Sequence, residues 1–505
     1  MKYNFPYWFH QRLKHRCLKI LLAIPVLISA CTPSSPRISF DLLQEQTEQA
    51  AQAESISPTP LPTRPAYEPG ELVEYTVQPG DTLPALAVRF NTTEAEIREA
   101  NPILPAELST LPPGMPMQIP IYYQPLWGSS YQILPDRLFA YGPAQVGFDT
   151  VEFVNSQPGW LKNYTGVAGG LQKSGGELVE IVATNFSISP RLLLALIEYQ
   201  TGGLTNPQQP DPDNPYVLGY EDRKHPGLYQ QLLWAANFLN DKYYRYRLGK
   251  LTSFEHLDGR LERPDPWQNA ATVALQVYFS TMLDKDQYFT ATHSEGLQKA
   301  YANLFGDPWA DTTTHIPGSL QQPALRLPFL PGKAWAYTGG PHTGWGSGQP
   351  FAAIDFAPPN VVGGCSPTEE WAIAMADGTI VRTDTGVAVL DLDGDQDERT
   401  GWVIFYLHLS TKTIPPVGTA LKAGDPIGLP SCDGGTSTGT HVHIARKYNG
   451  EWVPADSPVP FNMEGWVTKD GKAPYQGLLV QYGRTVIACD CSNQESLVQS
   501  LGPLP

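Results

Sequence analysis

Beyond its first twenty residues this chain has no dense cluster of Lys or Arg, and 34 basic residues stand against 50 acidic ones, a formal net charge of −16. Nucleic-acid binding is therefore not expected, because neutralising phosphates requires grouped cations. Long apolar runs are also missing. The most apolar stretch, Ile20 to Ile28, is shorter than the roughly 20 residues that span a bilayer, and no later segment is long and apolar enough to do so. Cysteine is scarce, with six in 505 residues and no CxxC pair, so a cysteine-built zinc site is excluded. Proline and glycine are abundant, at 49 and 45, and imply linkers and many turns. The length predicts about three domains.

The N-terminus reads as an export signal over residues 1–30. Arg12, Lys14, Arg16 and Lys19 precede the short apolar run, and Ile28-Ser29-Ala30-Cys31 follows it, the order of a cleaved signal peptide. These four residues resemble the lipobox of bacterial lipoproteins. The resemblance implies lipidation of Cys31 and a membrane-anchored lipoprotein at the bacterial cell envelope. Residues 31–73, rich in Pro, Ser and Thr, are expected to be a disordered tether. Setting Cys17 and Cys31 aside leaves Cys365, Cys432, Cys489 and Cys491. An even count in an exported chain points to disulfides. Of three possible pairings, Cys365 with Cys432 is favoured, which leaves a tight Cys489–Cys491 bridge.

Residues 74–120 begin with Tyr75-Thr76-Val77-Gln78-Pro79-Gly80-Asp81-Thr82-Leu83, a strand and a Pro-Gly turn. Leu83, Leu86, Ala87 and Phe90 give a helical stripe, a cap-like threonine in Thr92-Thr93 starts a second helix, Asn101-Pro102 stops it, and Leu111 to Pro120 returns as a strand. This order resembles a LysM domain. The resemblance implies a βααβ fold and binding of N-acetylglucosamine-containing glycan such as peptidoglycan or chitin. The implied contacts are Gly80, Asp81, Thr82, Leu83, Asn101, Pro102 and Ile103.

Residues 128–315 carry helical periodicity at Gly176–Phe186, Ser189–Gln200, Gly227–Arg247 and Gln268–Leu283, and predict a mainly α-helical domain. Ser187 to Gly202 weakly resembles the catalytic helix of lysozyme-like lytic transglycosylases. Gln200-Thr201 stands where that family has Glu-Ser, so the general acid is missing and Glu198 is out of register. A glycan-binding or spacer role is the expectation.

Residues 327–457 alternate short β-rich runs with glycine turns and predict an antiparallel all-β domain. In His441-Val442-His443 both imidazoles share one strand face. Upstream lie Gly339-Gly340-Pro341-His342, Asp355 and His408. The set resembles the LytM/lysostaphin-type zinc endopeptidases, and within them the beta-lytic and staphylolysin branch. Most of that family has a His four residues before the Asp, where this chain has Phe351; the beta-lytic branch places Gly-Gly-x-His further upstream, as here. The resemblance implies one Zn²⁺ on His342, Asp355 and His443, with His408 and His441 as catalytic histidines whose base and oxyanion roles stay open. Trp335, Tyr337, Trp345 and Tyr406 are candidates to line the groove.

Asp391, Asp393, Asp395 and Asp397 form an acidic loop with oxygen spacing suited to Ca²⁺; an exposed acidic hairpin is the other reading. Residues 458–505 are a C-terminal extension with a strand pair expected between Tyr475 and Ile487. The whole chain reads as a multidomain peptidoglycan hydrolase. Its expected reaction is zinc-dependent cleavage of crosslinks or glycine-containing bridges, with its partners being wall glycan and peptides and, through the lipid, a membrane. A non-catalytic wall-binding or hydrolase-activating lipoprotein is the alternative.

Overall fold

The computed structural model describes residues 67–502 apart from Val362 and Ser492. The expected signal, Cys31 and nearly all of the tether lie outside these residues. No described helix is long and apolar enough to cross a membrane.

The first module is βααβ. Strands Glu71–Thr76 and Pro116–Ile121 pair antiparallel and enclose helices Leu83–Arg89 and Glu94–Ala100. Thr82 caps the first helix, and Thr93 with Glu96 forms a capping box on the second, which satisfies otherwise orphaned N–H groups. Tyr75, Leu86, Phe90, Ile97 and Ile119 fill a small core of its own.

The middle region is mainly helical. Helices Gly175–Phe186, Pro190–Thr201, Leu228–Arg247 and Ala270–Ser280 occupy the four periodic segments. Ser189 accepts from the N–H of Leu192, with Pro190 opening the helix, where a missing N–H costs nothing. All eleven residues of Ala270–Ser280 are buried, with the hydroxyls of Thr272 and Ser280 taken up by hydrogen bonds, as a helix enclosed on every side requires.

The C-terminal region is a nine-stranded antiparallel sheet. Its order runs Ala420–Leu421, Gly378–Asp384, Val387–Asp391, Trp402–Leu407, Val442–Tyr448, Phe351–Ala357, Ala334–Thr343, Leu497–Gln499, and Glu451–Trp452 pairs beside Val442–Tyr448. The last-numbered strand comes from the C-terminal extension. That extension also holds the hairpin Gly477–Gln481 and Arg484–Ile487, inside the segment predicted as a strand pair. Disulfides join Cys365 to Cys432 and Cys489 to Cys491.

Alternation gives the sheet two different faces. Ile354, Phe356, Leu390, Ile404, Tyr406 and Ile444 pack with Trp466 and Leu479 of the extension. The opposite face, with Val387, Val389, Val403 and Phe405, joins the core of the helical region. Each of these four is at most 2% exposed and contributes about 1.5 kcal/mol or more by burial. The helical region is thus packed onto the sheet as a structural layer rather than hung beside it.

Candidate metal centre

Register brings the site together. On adjacent antiparallel strands His443 lies directly opposite Asp355 and, on its other side, opposite Leu407, so His408 follows at the strand end. On the far side of Asp355, Gly339 is its cross-strand partner. A Cβ at Gly339 would fall 2.3 Å from Asp355 Oδ2, so glycine there admits the carboxylate. The strand Ala334–Thr343 then slips its register before His342 and delivers that imidazole to the same side.

His342 Nε2 and His443 Nδ1 are 2.9 Å apart, and each stands 3.3 Å from Asp355 Oδ1. The other nitrogens are committed. His342 Nδ1 donates to the Gly340 carbonyl at 2.8 Å and His443 Nε2 to the Gly344 carbonyl at 3.1 Å. These bonds fix both tautomers with lone pairs facing inward. Asp355 is 5% exposed, and its Oδ1 is buried with no hydrogen-bond partner. Burial pushes its carboxyl up, but His342 and His441 in their protonated forms outweigh it and hold the group well below the usual range, as a carboxylate, so a cation binding here displaces the inward proton of His342. Two inward lone pairs and an orphaned anionic oxygen, all within 4.8 Å, form a donor set that a cation satisfies. Two imidazoles and one carboxylate suit Zn²⁺.

His408 and His441 stand beside this set, with ring centroids 4.6 Å apart. His408 Nδ1 donates to the Asp433 carbonyl at 3.0 Å, leaving Nε2 as an acceptor. Burial first, then His441 and His443, push His408 down to about 4, so it is neutral near pH 7. His441 Nδ1 donates to the Gly439 carbonyl at 2.7 Å, with Nε2 3.8 Å from Asp355 Oδ1. The Cys365–Cys432 bridge and the bond from Thr440 N to the Gly364 carbonyl (2.9 Å) pin the loop before His441.

All five residues singled out for the peptidase therefore converge. Of the aromatics, Trp335, Tyr337 and Tyr406 do not line a groove: each is 0% exposed in the core, because their parity points them to the other face. Tyr475, which sequence reasoning missed, stacks on His342 with centroids 4.1 Å apart. Gly340 N donates to its carbonyl at 2.8 Å, and Tyr475 N to the Pro341 carbonyl at 3.2 Å. A Cβ at Gly340 would lie 2.4 Å from the Gln476 backbone. The Gly-Gly pair before His342 was thus the signal: one glycine admits Asp355, the other admits the extension.

The seven LysM residues fare differently. Asp81 is 1% exposed and accepts from Tyr75 Oη, Gln78 N and Arg89. Leu83 is in the core, and buried Asn101 bonds to Ile97 and Gln118. Gly80 faces Arg247, whose guanidinium donates to the Pro79 carbonyl. Thr82 is half-buried and Pro102 exposed; Ile103 is 86% exposed.

Glu198 accepts from Leu204 N at 2.8 Å and Thr205 N at 3.2 Å, so its carboxylate closes a loop. In the acidic loop, oxygens of Asp391, Asp393 and Asp395 lie within 4.8 Å of one another. Asp391 is already spent on the N–H groups of Asp393, Gly394 and Gln396. Asp397 turns away to Arg399. The loop holds itself together, and the Ca²⁺ expectation gains no support from it.

Residues 75–120 match the model of the LysM domain, and residues 132–319 match that of the LasA N-terminal domain. Protease LasA of Pseudomonas aeruginosa is 26% identical over 342 residues, covering 63% of this chain and 74% of the relative. Among solved structures, the M23 metalloprotease pseudoalterin aligns at 24% identity, covering 33% of this chain and 96% of its own, with a TM-score of 0.29. Beta-lytic metalloendopeptidase of Lysobacter enzymogenes is 32% identical over 136 residues, 25% of this chain and 71% of the relative. Behind a LysM domain and a LasA N-terminal domain, this chain belongs to the beta-lytic metalloendopeptidase family.

Proposed function

We propose that the chain is a zinc-dependent endopeptidase that hydrolyses peptide bonds of peptidoglycan, held on wall glycan by its LysM domain. The observation that carries the reading is the buried, unpartnered Oδ1 of Asp355 between two inward-facing imidazole nitrogens. His342, Asp355 and His443 would hold the ion. Bound zinc supplies Lewis acidity and brings the pKa of the attacking water toward about 7. Neutral His408, with Nε2 free, is suited to accept a proton, and His441 to stabilise charge developing on the carbonyl oxygen. The stacked ring of Tyr475 forms a wall over His342. A LysM that grips the same polymer raises the local concentration of an insoluble substrate. The expected export and lipidation at Cys31 would place both activities at the cell envelope.

The test is mass spectrometry of fragments released from purified peptidoglycan by the full chain, with and without a zinc chelator. Chelator-sensitive release of peptides with new termini supports the reading and names the bond. A zinc-loaded chain that releases nothing from several wall types sinks it in favour of a binding protein.

A further inference from the structure

The carbonyl that orients His443 belongs to Gly344, the first residue of a glycine-rich loop running to Pro350. That loop is not held by the peptidase sheet alone. Asn237 Oδ1 accepts from Ser347 N at 2.7 Å, and Asn237 Nδ2 donates to Ser347 Oγ at 3.1 Å. Asp241 Oδ1 accepts from Gln349 N at 2.9 Å. Asn237 and Asp241 are four residues apart on helix Leu228–Arg247 and so share one helix face. Arg245 and Lys242 in turn hold the Asp241 carboxylate.

The loop's composition matches this partner. Gly346 and Gly348 have φ of +84° and +86°, a region that disfavours side chains. A Cβ at Gly346 would lie 2.4 Å from Asn237 Oδ1 and 2.8 Å from Phe186 Cε1; at Gly348 it would lie 2.5 Å from Asp241 Oδ1. Both glycines let peptidase backbone rest directly on the helical region. Trp345, between them and Gly344, packs into the shared core, edge-on to Phe405.

We propose that Asn237 and Asp241, residues of the LasA N-terminal domain, are positioning residues of the peptidase metal centre. They fix the Gly344–Gln349 loop, the Gly344 carbonyl then holds the Nε2–H of His443, and Nδ1 stays aimed at the metal. On this account the helical region completes the site it is packed against. The inference rests on the zinc reading above. Outer partners of a ligating histidine are worth about 10- to 100-fold in metal affinity, and a pair acting through a loop belongs at the lower end, about tenfold.

The experiment is zinc affinity of the full chain by chelator competition, with thermal stability measured alongside. N237L/D241L, and N237A alone as a milder variant, should bind zinc about tenfold and severalfold more weakly. N237D and D241N keep the acceptor oxygens and should bind as wild type does. Y243F, on the same helix, loses only the bond to Glu451; it should lower stability and leave zinc affinity unchanged. Wild-type affinity in N237L/D241L overturns the proposal, as does an equal loss in Y243F, which would mean general loosening. A wild-type chain that takes up no zinc overturns the metal reading itself.

Discussion

The metal centre and the LysM loops were both read as ligand sites, five residues in one and seven in the other, and they differ in what their polar groups still lack. Around Asp355 the protein has buried three donors and left one oxygen without a partner, a state that costs free energy until a cation fills it. Both oxygens of Asp81 are bonded: Arg89 lies 2.8 Å from one, and Tyr75 and Gln78 occupy the other. An unsatisfied carboxylate oxygen set between two inward imidazole nitrogens points to a ligand, whereas the fully bonded Asp81 carboxylate points to architecture. The two kinds of motif residue are alike in sequence and opposite in structure.

Mutating each side of that contrast should give opposite signatures. The largest effect is expected at the metal. His443→Ala should weaken zinc binding more than the about 100-fold that outer partners reach and abolish hydrolysis. His441→Ala should lower turnover by about 10²–10⁴ while zinc affinity, read by chelator competition, stays close to wild type. Zinc-dependent hydrolysis surviving His443→Ala would break the assignment.

On the LysM side, Asp81→Ala should cost about 3–5 kcal/mol by stranding buried Arg89, read as a lower melting temperature of the full chain. Ile103→Ser should leave stability within about 0.5 kcal/mol and weaken binding to N-acetylglucosamine oligomers. If Ile103→Ser binds them as tightly as wild type, the exposed loop is not the contact.

The effect spread over the widest range of conditions concerns two buried carboxylates of the peptidase region, one of them held by the helical region, and it is read through pH. Burial pushes the carboxyls of Glu451 and Glu398 up. Arg247, with His315 and Tyr243, outweighs it at Glu451, and Lys447 with Arg382 does so at Glu398; both are held at about 2. A carboxyl depressed on folding adds stability above its unfolded pKa near 4.5. That stability is lost as pH falls from there toward 2, at most roughly 3 kcal/mol per group. Melting temperature should therefore drop below about pH 4.5, and Glu451→Gln should flatten that limb. A pH-independent melting temperature between 5 and 3 would contradict it.

Much of the peptidase site was legible because its signals are local. The shared face of His441 and His443 follows from period-two alternation, while His342, Asp355 and His408 were implied by the family resemblance of their motifs. The four helical segments of the middle region were legible from periodicity for the same reason. The aromatics failed that test, since Trp335, Tyr337 and Tyr406 look alike as groove or core until their face is known.

The sequence by itself determined the inventory: the βααβ module, the helices and the short strands; it favoured one of three cysteine pairings, and through the family resemblance it nominated the five residues of the centre. Only tertiary structure decided which sheet face the helices cover, that Tyr475 of the extension lies over His342, that Arg247 reaches the LysM loop at Pro79, and that Asn237 and Asp241 grip the loop behind His443. These contacts join residues dozens to hundreds of positions apart. No local period encodes them; they are fixed when apolar faces find each other and the remaining polar groups must find partners in whatever geometry results.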